Sequence, residues 1–280
     1  MKTTIVGLGL IGGSFGLAMP RKPGDEITGW DSSKENLDQA LELGIVDMGA
    51  SSLEEALEAA DAIYLAIPVD QIVATLPMVM DGLQPSQFVC DFGSTKLDIT
   101  RAVNGHPKRG RYLAAHPIAG TEYSGPGAAF RALYNQKVMI ICEEELTDKD
   151  VVKHFESICQ ALSMKTVYLS SEDHDRHLAY VSHLSHVIAY GLSNTVLEEE
   201  KGDNRILELA GSGFESTVRL AKSSPEMWVP IFLQNRVFLL EGLDNYLNDL
   251  QTFKTHLEGK DHEALIDFLA KGRKIRKILK

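Results

Sequence analysis

The sequence predicts an α/β protein, a doubly wound and mostly parallel sheet followed by an all-α helical segment. Three observations carry this. Short apolar runs alternate with amphipathic stretches from Thr3 to Leu169. A glycine-spaced turn, Gly7-Leu8-Gly9-Leu10-Ile11-Gly12, directly follows the first apolar run. After Ser170 the strand pattern stops, and long segments with helical apolar spacing take over. The boundary is therefore expected near residue 170, giving a domain at 1–170 and a second at 171–280.

Composition narrows the class. The chain has 280 residues, 44% apolar and 24% charged, enough for a large buried core. Its net charge of −11 argues against nucleic acid and against an anionic membrane surface. Cys90, Cys142 and Cys159 form an odd set without metal-ligand spacing, so buried free thiols and no metal site are expected. No apolar run approaches the ~18 residues of a membrane span. The first strand begins almost at Met1, leaving no room for a signal peptide. A cytoplasmic location is the expectation.

Taken in order, Thr3–Val6 reads as a buried strand and Gly13–Met19 as the start of a helix. Glu26–Trp30 is the second strand, ending at Asp31, and Ser33–Leu43 a helix closed by Gly44. Leu53–Ala60 is helical, and Ala62–Ile67 is a near-continuous apolar run that Pro68 stops. Gln71–Met80 is a helix containing Pro77, followed by strand Gln87–Asp91 and helix Thr95–Val103. Strands at Arg111–Ala115, Lys137–Cys142 and Lys165–Leu169 flank the amphipathic helix Asp148–Leu162. Ser170 opens a long helix, His174–Glu200, broken at Gly202-Asp203. Helices are expected at Asn204–Ala210, Ser216–Ala221, Glu226–Leu250 and His262–Leu279. Leu233, Val237, Leu240, Leu243 and Leu247 make an apolar stripe suited to a bundle shared between two subunits.

The glycine turn reads as a Rossmann-like dinucleotide fingerprint, with a merely structural strand–helix turn as the alternative. Gly7 permits the tight turn, Gly9 lets a pyrophosphate approach the backbone, and Gly12 lets the helix press on the strand. The helix N-terminus then offers free N–H groups to phosphate. Asp31, 19 positions beyond Gly12, can accept hydrogen bonds from ribose hydroxyls and repel an added 2′-phosphate, favouring NAD over NADP. It could equally cap the following helix. Ile67-Pro68 and the loop Asp91–Lys96 lie beyond the carboxyl ends of their strands, where open α/β sheets bind ligands. Ser94 there is a candidate partner for substrate or for a catalytic histidine, or a helix cap. Lys96 could reach an anion there, or is a surface charge.

His116 follows the next strand at the same rim, where a neutral imidazole can take a proton from a substrate hydroxyl, or is a hydrogen-bonded turn residue. Ser182, His183 and His186 sit inside the long apolar helix and line a cavity or find buried partners. His174 and His177 read as ordinary exposed residues. Arg219, after Gly211-Ser212-Gly213, is a candidate bidentate clamp for a carboxylate, or one half of a surface salt bridge. Trp228 walls a ring pocket or packs in the core.

Four strings together resemble the prephenate/arogenate dehydrogenase family: VGLGLIGGS at 6–14, HPIAGTEYSG at 116–125, SHLSH at 182–186 and GSGFESTVRLAKSSPEMW at 211–228. The resemblance runs in order over most of the chain. It implies a Rossmann-like doubly wound mostly parallel sheet followed by an all-α helical dimerisation domain. It implies NAD-dependent oxidative decarboxylation of prephenate to 4-hydroxyphenylpyruvate in tyrosine biosynthesis, with arogenate as the rival substrate. By position, His116 matches the catalytic histidine on the ring hydroxyl and Ser94 the serine assisting it. His186 and Ser182, with His183 between them, match residues lining the substrate site. Arg219 matches the arginine on the substrate carboxylate, and Trp228 an aromatic beside it. One departure stands out. Some relatives carry a lysine where Glu215 stands, paired with the acid matching Glu122; here both positions are acidic. The chain shows no fused chorismate mutase or regulatory domain, so tyrosine inhibition, if present, is expected at the active site. A β-hydroxyacid dehydrogenase is disfavoured, because no helix pairs a lysine with an asparagine in that family's manner. A non-catalytic NAD-binding sensor or scaffold dimer is the remaining alternative.

Overall fold

The structure, a computed structural model, describes residues 1–58, 60–200 and 205–278. The expected break at Gly202-Asp203 lies outside the described residues. Strands are β1 (Lys2–Val6), β2 (Glu26–Trp30), β3 (Met48–Gly49), β4 (Ala62–Leu65), β5 (Phe88–Asp91), β6 (Tyr112–Ile118), β7 (Val138–Cys142) and β8 (Lys165–Leu169). They form one sheet in the order β3-β2-β1-β4-β5-β6-β7-β8, parallel except that β7 runs antiparallel to β6. The strand order reverses between β1 and β4, which opens a crevice beyond their carboxyl ends.

Between the strands lie α1 (Leu10–Ala18), α2 (Lys34–Glu42), α3 (Leu53–Glu58), α4 (Val69–Gly82), α5 (Leu97–Val103) and α6 (Lys149–Ala161). Alternation along each strand splits the core between the two faces. Ile5, Tyr64, Cys90 and Ile141 pack with Phe15 of α1 and Phe155 of α6. Val6, Ile63, Val89 and Ile140 pack with Ile72 of α4 and Ile99 of α5. The three cysteines are buried and free, and burial pushes the Cys142 and Cys159 thiols up to about 12. Tyr64 is fully buried among Phe15, Phe88, Phe92 and Phe155, yet its hydroxyl has no hydrogen-bond partner among the described residues. Tyr64→Phe is therefore expected to be neutral or to stabilise the protein by about 1 kcal/mol, read from the denaturant midpoint; a clear loss would show that the hydroxyl is satisfied.

The second half is helical: α7 (Ser171–Leu178), α8 (Leu184–Glu200), α9 (Arg205–Glu208), α10 (Ser212–Val218), α11 (Pro225–Gln234), α12 (Arg236–Glu258) and α13 (His262–Arg273). Ser170 caps α7 by accepting from the Asp173 N–H at 3.0 Å. The long helix expected at His174–Glu200 is interrupted by a π turn, Ala179–His183, and the expected Glu226–Leu250 helix is divided at Asn235. The helix expected from Ser216 begins earlier, at Ser212.

By packing, the described residues divide into Met1–Asn235 and Arg236–Lys280. The reason lies in α7 and α11, whose Leu178, Trp228 and Ile231 join the core on one face of the sheet. On α12 and α13, Val237, Leu240, Leu247, Leu257 and Leu269 are each more than half exposed. No described helix is long and apolar enough to cross a membrane.

Candidate active site

The crevice begins at the glycine turn. Gly7 has φ +90°, and a Cβ there would meet the Ala66 carbonyl oxygen at 2.5 Å. A Cβ on Gly12 would lie 1.9 Å from the Gly7 oxygen. The loop after β4 thus presses Ala66 and Ile67 onto the turn, and Pro68 leads into α4. Gly9 differs: a Cβ there would meet nothing within 4 Å. The surrounding packing needs glycine at Gly7 and Gly12, whereas at Gly9 only the open crevice is spared, at the N-cap of α1. This geometry fits a dinucleotide pyrophosphate, with Leu8, Leu10 and Ile11 in the same turn. Gly9→Ala is expected to leave the melting temperature unchanged while lowering kcat/KM for NAD on the order of 10²-fold, the cost of a displacement of about 1 Å. Unchanged kinetics for NAD would remove the turn from the site.

Asp31 holds this turn to β2. Its carboxylate accepts from the Leu8 and Ser33 N–H groups, both at 2.9 Å, and from Asn36 Nδ2 at 3.3 Å. Ser33, not Asp31, caps α2. A carboxylate has about four lone-pair positions, so Asp31 retains capacity for a ribose hydroxyl.

The next two strands carry the groups suited to proton chemistry. Asp91, at the end of β5, is fully buried and accepts from the Gly93 N–H and the Tyr112 hydroxyl, each at 2.7 Å, and from Lys96 Nζ. Lys96 is itself fully buried, contrary to its reading as a surface charge. The α5 N-terminus is capped by Asp175, whose oxygens accept from the Lys96 N–H at 2.8 Å and the Leu97 N–H at 2.9 Å. Ser94 therefore does not cap that helix; it sits half-buried in the intervening loop.

His116 lies within β6 rather than after it, and is half-buried. Its Nδ1 is 2.8 Å from Nε2 of His174, whose Nδ1 is 2.7 Å from Asp175 Oδ1. The ring partner of His116 is thus His174, not Ser94. His174 is fully buried, where an exposed residue was expected. Burial chiefly, then neighbouring His174, Lys96 and His183, hold the His116 imidazole well below its usual value of 6.5, so it is neutral near pH 7.

A continuous set of contacts leads from this pair to the helices beyond. Asn235 Nδ2 donates to the Asp175 carbonyl at 2.7 Å and lies 2.9 Å from His183 Nδ1. Burial pulls His183 down to about 4. His183 meets the Trp228 ring edge-on at 5.9 Å, and His186 stacks on Trp228 at 3.5 Å. His186 Nδ1 donates to the Ser182 carbonyl at 3.0 Å, within the π turn. Trp228 is 7% exposed and its indole N–H has no partner among the described residues. Arg219 lies close enough to His186 to disfavour its protonation, although burial is the larger cause.

Arg219 Nη1 pairs with Glu122 Oε2 at 3.1 Å, and Glu215 sits 4.0 Å from Lys222. With two acids where some relatives pair lysine with acid, Glu122 finds the arginine instead. Arg219 is half exposed, so this ion pair is worth roughly 0–1 kcal/mol and a substrate carboxylate can displace it. Among the described residues no cluster of His, Cys, Asp or Glu could hold a metal.

Two family models match the chain in sequence: the nucleotide-binding domain of prephenate dehydrogenase over residues 15–168, and its dimerization domain over residues 170–271. The chain belongs to the prephenate dehydrogenase family. The Bacillus subtilis prephenate dehydrogenase is 32% identical over 99% of this chain and 76% of that protein. The Zymomonas mobilis cyclohexadienyl dehydrogenase is 30% identical over 99% of this chain and 95% of its own length. Among solved structures, Aquifex aeolicus prephenate dehydrogenase, in complex with hydroxyphenyl propionate and NAD⁺, superposes with a TM-score of 0.86. It is 29% identical and is covered over 100% of this chain and 98% of that one.

Sequence reasoning gave His174 and Lys96 no place in the site and did not reach Asp175 or Asn235. A signal for His174 and Asp175 existed. Ser171, His174, Asp175 and Leu178 are all buried and recur at i, i+3, i+4 and i+7, the spacing of a buried helix face. That spacing places His174 on the same side as the apolar residues. Nothing local marks Lys96 or Asn235, whose partners are distant in sequence.

Proposed function

We propose that the protein oxidatively decarboxylates prephenate to 4-hydroxyphenylpyruvate with NAD. The observation that carries this is His116, a neutral imidazole at the sheet rim, linked by contacts through His174, Asp175, Asn235, His183 and Trp228 to His186, on which the charge of Arg219 acts. One end of that set suits a ring hydroxyl and the other a carboxylate. NAD bound over the Gly7–Gly12 turn supplies the hydride acceptor. His116 accepts the proton of the ring hydroxyl as hydride leaves the same carbon. Ser94, in the loop before α5, donates toward the same hydroxyl. Arg219 exchanges Glu122 for a substrate carboxylate, while Ser182, His183, His186 and Trp228 wall the ring pocket. The dienone then loses CO₂, because that step creates an aromatic ring. Asp31 favours NAD over NADP, since its carboxylate at the turn repels a 2′-phosphate.

The functional division we assign is 1–170 for the dinucleotide and 171–280 for substrate and dimerisation. The exposed apolar residues of α12 and α13 and the match to a dimerization domain support a homodimer. Buried free thiols suit a reducing cytoplasm.

The test offers prephenate and arogenate, each with NAD and NADP, and follows NADH or NADPH absorbance. Turnover of prephenate with NAD is expected to be fastest; no reduction with either substrate would leave only a non-catalytic NAD-binding role. Faster turnover of arogenate would reassign the substrate. Arg219→Ala is expected to raise KM for prephenate about 10- to 100-fold, the size of a lost charge-assisted hydrogen bond, with a smaller change in kcat. An unchanged KM would take Arg219 out of the site.

A further inference from the structure

We propose that His174 and Asp175 are positioning residues that hold His116 in the one tautomer able to take a proton from substrate. The proposal rests on the reading of His116 as the proton acceptor. It follows from donor and acceptor bookkeeping along three aligned groups.

The argument starts at Asp175. Its two oxygens accept backbone N–H groups, Lys96 at 2.8 Å and Leu97 at 2.9 Å. A carboxylate so engaged is an acceptor at both oxygens. Asp175 Oδ1 also faces His174 Nδ1 at 2.7 Å, so that nitrogen must carry the hydrogen. A neutral imidazole has a single N–H, which leaves His174 Nε2 as a lone pair. His116 Nδ1 lies 2.8 Å from that lone pair, so it must be the donor. The only lone pair remaining on His116 is at Nε2, which no described residue hydrogen-bonds.

Two other arrangements fail on the same geometry. A hydrogen on His174 Nε2 alone would set its bare Nδ1 against an ionised carboxylate, lone pair to lone pair. A doubly protonated His174 would donate to His116 Nδ1 and put the His116 hydrogen on Nε2, ending its use as a base. Burial is the largest influence on His174 and keeps it neutral, although Asp175 acts the other way; the buried Lys96 cation adds to the burial effect. The charged and titratable groups facing His116 are His174, Lys96 and His183, and all three disfavour its imidazolium.

A helix-capping role explains the two backbone bonds of Asp175 but leaves His174 without a purpose. Its ring is fully buried with both nitrogens committed along one line from Asp175 to His116. In the reaction the substrate O–H bond breaks and the Nε2–H bond of His116 forms. The electron pair left on oxygen makes the carbonyl, and the hydride lost from that carbon with its own pair would be taken up by the NAD⁺ that the Gly7–Gly12 turn would hold. The imidazolium formed keeps its Nδ1–H bond to His174 Nε2, with no proton leaving Asp175 or reaching it. Solvent later takes the Nε2 proton.

The test combines ¹⁵N NMR of the histidine rings with kinetics of His174→Phe and His174→Gln. In the wild-type protein His116 is expected to show a protonated Nδ1 and a bare Nε2. His174→Phe removes the acceptor, and kcat is expected to fall by about 10²- to 10⁴-fold, the scale seen when a catalytic imidazole loses the group fixing its tautomer. NAD affinity should not change. His174→Gln returns a carbonyl oxygen to the same place and is expected to recover ~10-fold or more of that loss, on the scale of a restored hydrogen bond. A protonated Nε2 on wild-type His116 overturns the proposal, as does wild-type kcat in His174→Phe. If His174→Phe fails to fold, the wild-type spectrum decides alone. Undiminished turnover in His116→Asn would instead sink the underlying reading, with the spectrum still judging the hydrogen-bond line.

Discussion

Replacing His116 with asparagine is expected to leave NAD binding intact and to cut kcat by about 10²-fold or more, the usual weight of a positioned general base. The amide keeps much of the size and polarity of the ring but cannot take up a proton. The wild-type pH profile should carry the same signature. A base whose imidazolium is disfavoured remains neutral as pH falls through 6.5, so kcat/KM should hold there and decline only well below it. The order of causes matters for the sign. Burial comes first, and the neighbouring His174, Lys96 and His183 push in the same direction. Near-normal turnover in His116→Asn would end the assignment. An acid limb centred at or above 6.5 would contradict the described surroundings of the ring.

Lys96→Met is expected to lower stability by about 3–5 kcal/mol, because it strands the Asp91 carboxylate in the core without its cation. Both side chains are fully buried, so water cannot substitute for the lost partner. The Gly93 N–H and the Tyr112 hydroxyl remain as donors but bring no charge. The double variant Lys96→Met/Asp91→Leu should recover a substantial part of the loss, since a buried ion pair is worth little more than well-packed apolar residues of similar volume. Denaturant unfolding followed by circular dichroism reads both. A midpoint unaffected by Lys96→Met would mean that the pair is not buried in solution.

Most of the sheet was legible because its signals are local. A parallel strand covered on both faces is an apolar run, and Ala62–Ile67 could hardly be anything else. The glycine turn is equally local, since Gly7 and Gly12 are demanded by close approach within a few residues and the adjoining loop. What the sequence could not display was the direction of β7, which pairs antiparallel with β6, or the two-residue β3. Neither leaves a mark in apolar periodicity.

The site was legible in its extremities and hidden in its middle. His116 and Arg219 stand in distinctive strings, so position alone marked them. His174 lies 58 residues from His116, and its role exists only once the first turns of α7 pack beside β6. Lys96 looked solvent-facing because lysine usually is; its burial depends on an aspartate five residues earlier and on a tyrosine of the next strand. Asn235 is a similar case, reaching back 60 residues to Asp175 from the junction of α11 and α12. Helix spacing could have caught His174. For Lys96 and Asn235 the information is tertiary.

The most direct test of the account is a crystal structure of the protein with NAD⁺ and a 4-hydroxyphenyl carboxylic acid. The expected result places the phenol oxygen within about 2.6–3.2 Å of His116 Nε2. Arg219 should hold the carboxylate with Glu122 displaced, and the pyrophosphate should lie over Gly9. A ligand whose hydroxyl is remote from His116, or whose carboxylate is held by residues other than Arg219, would contradict it.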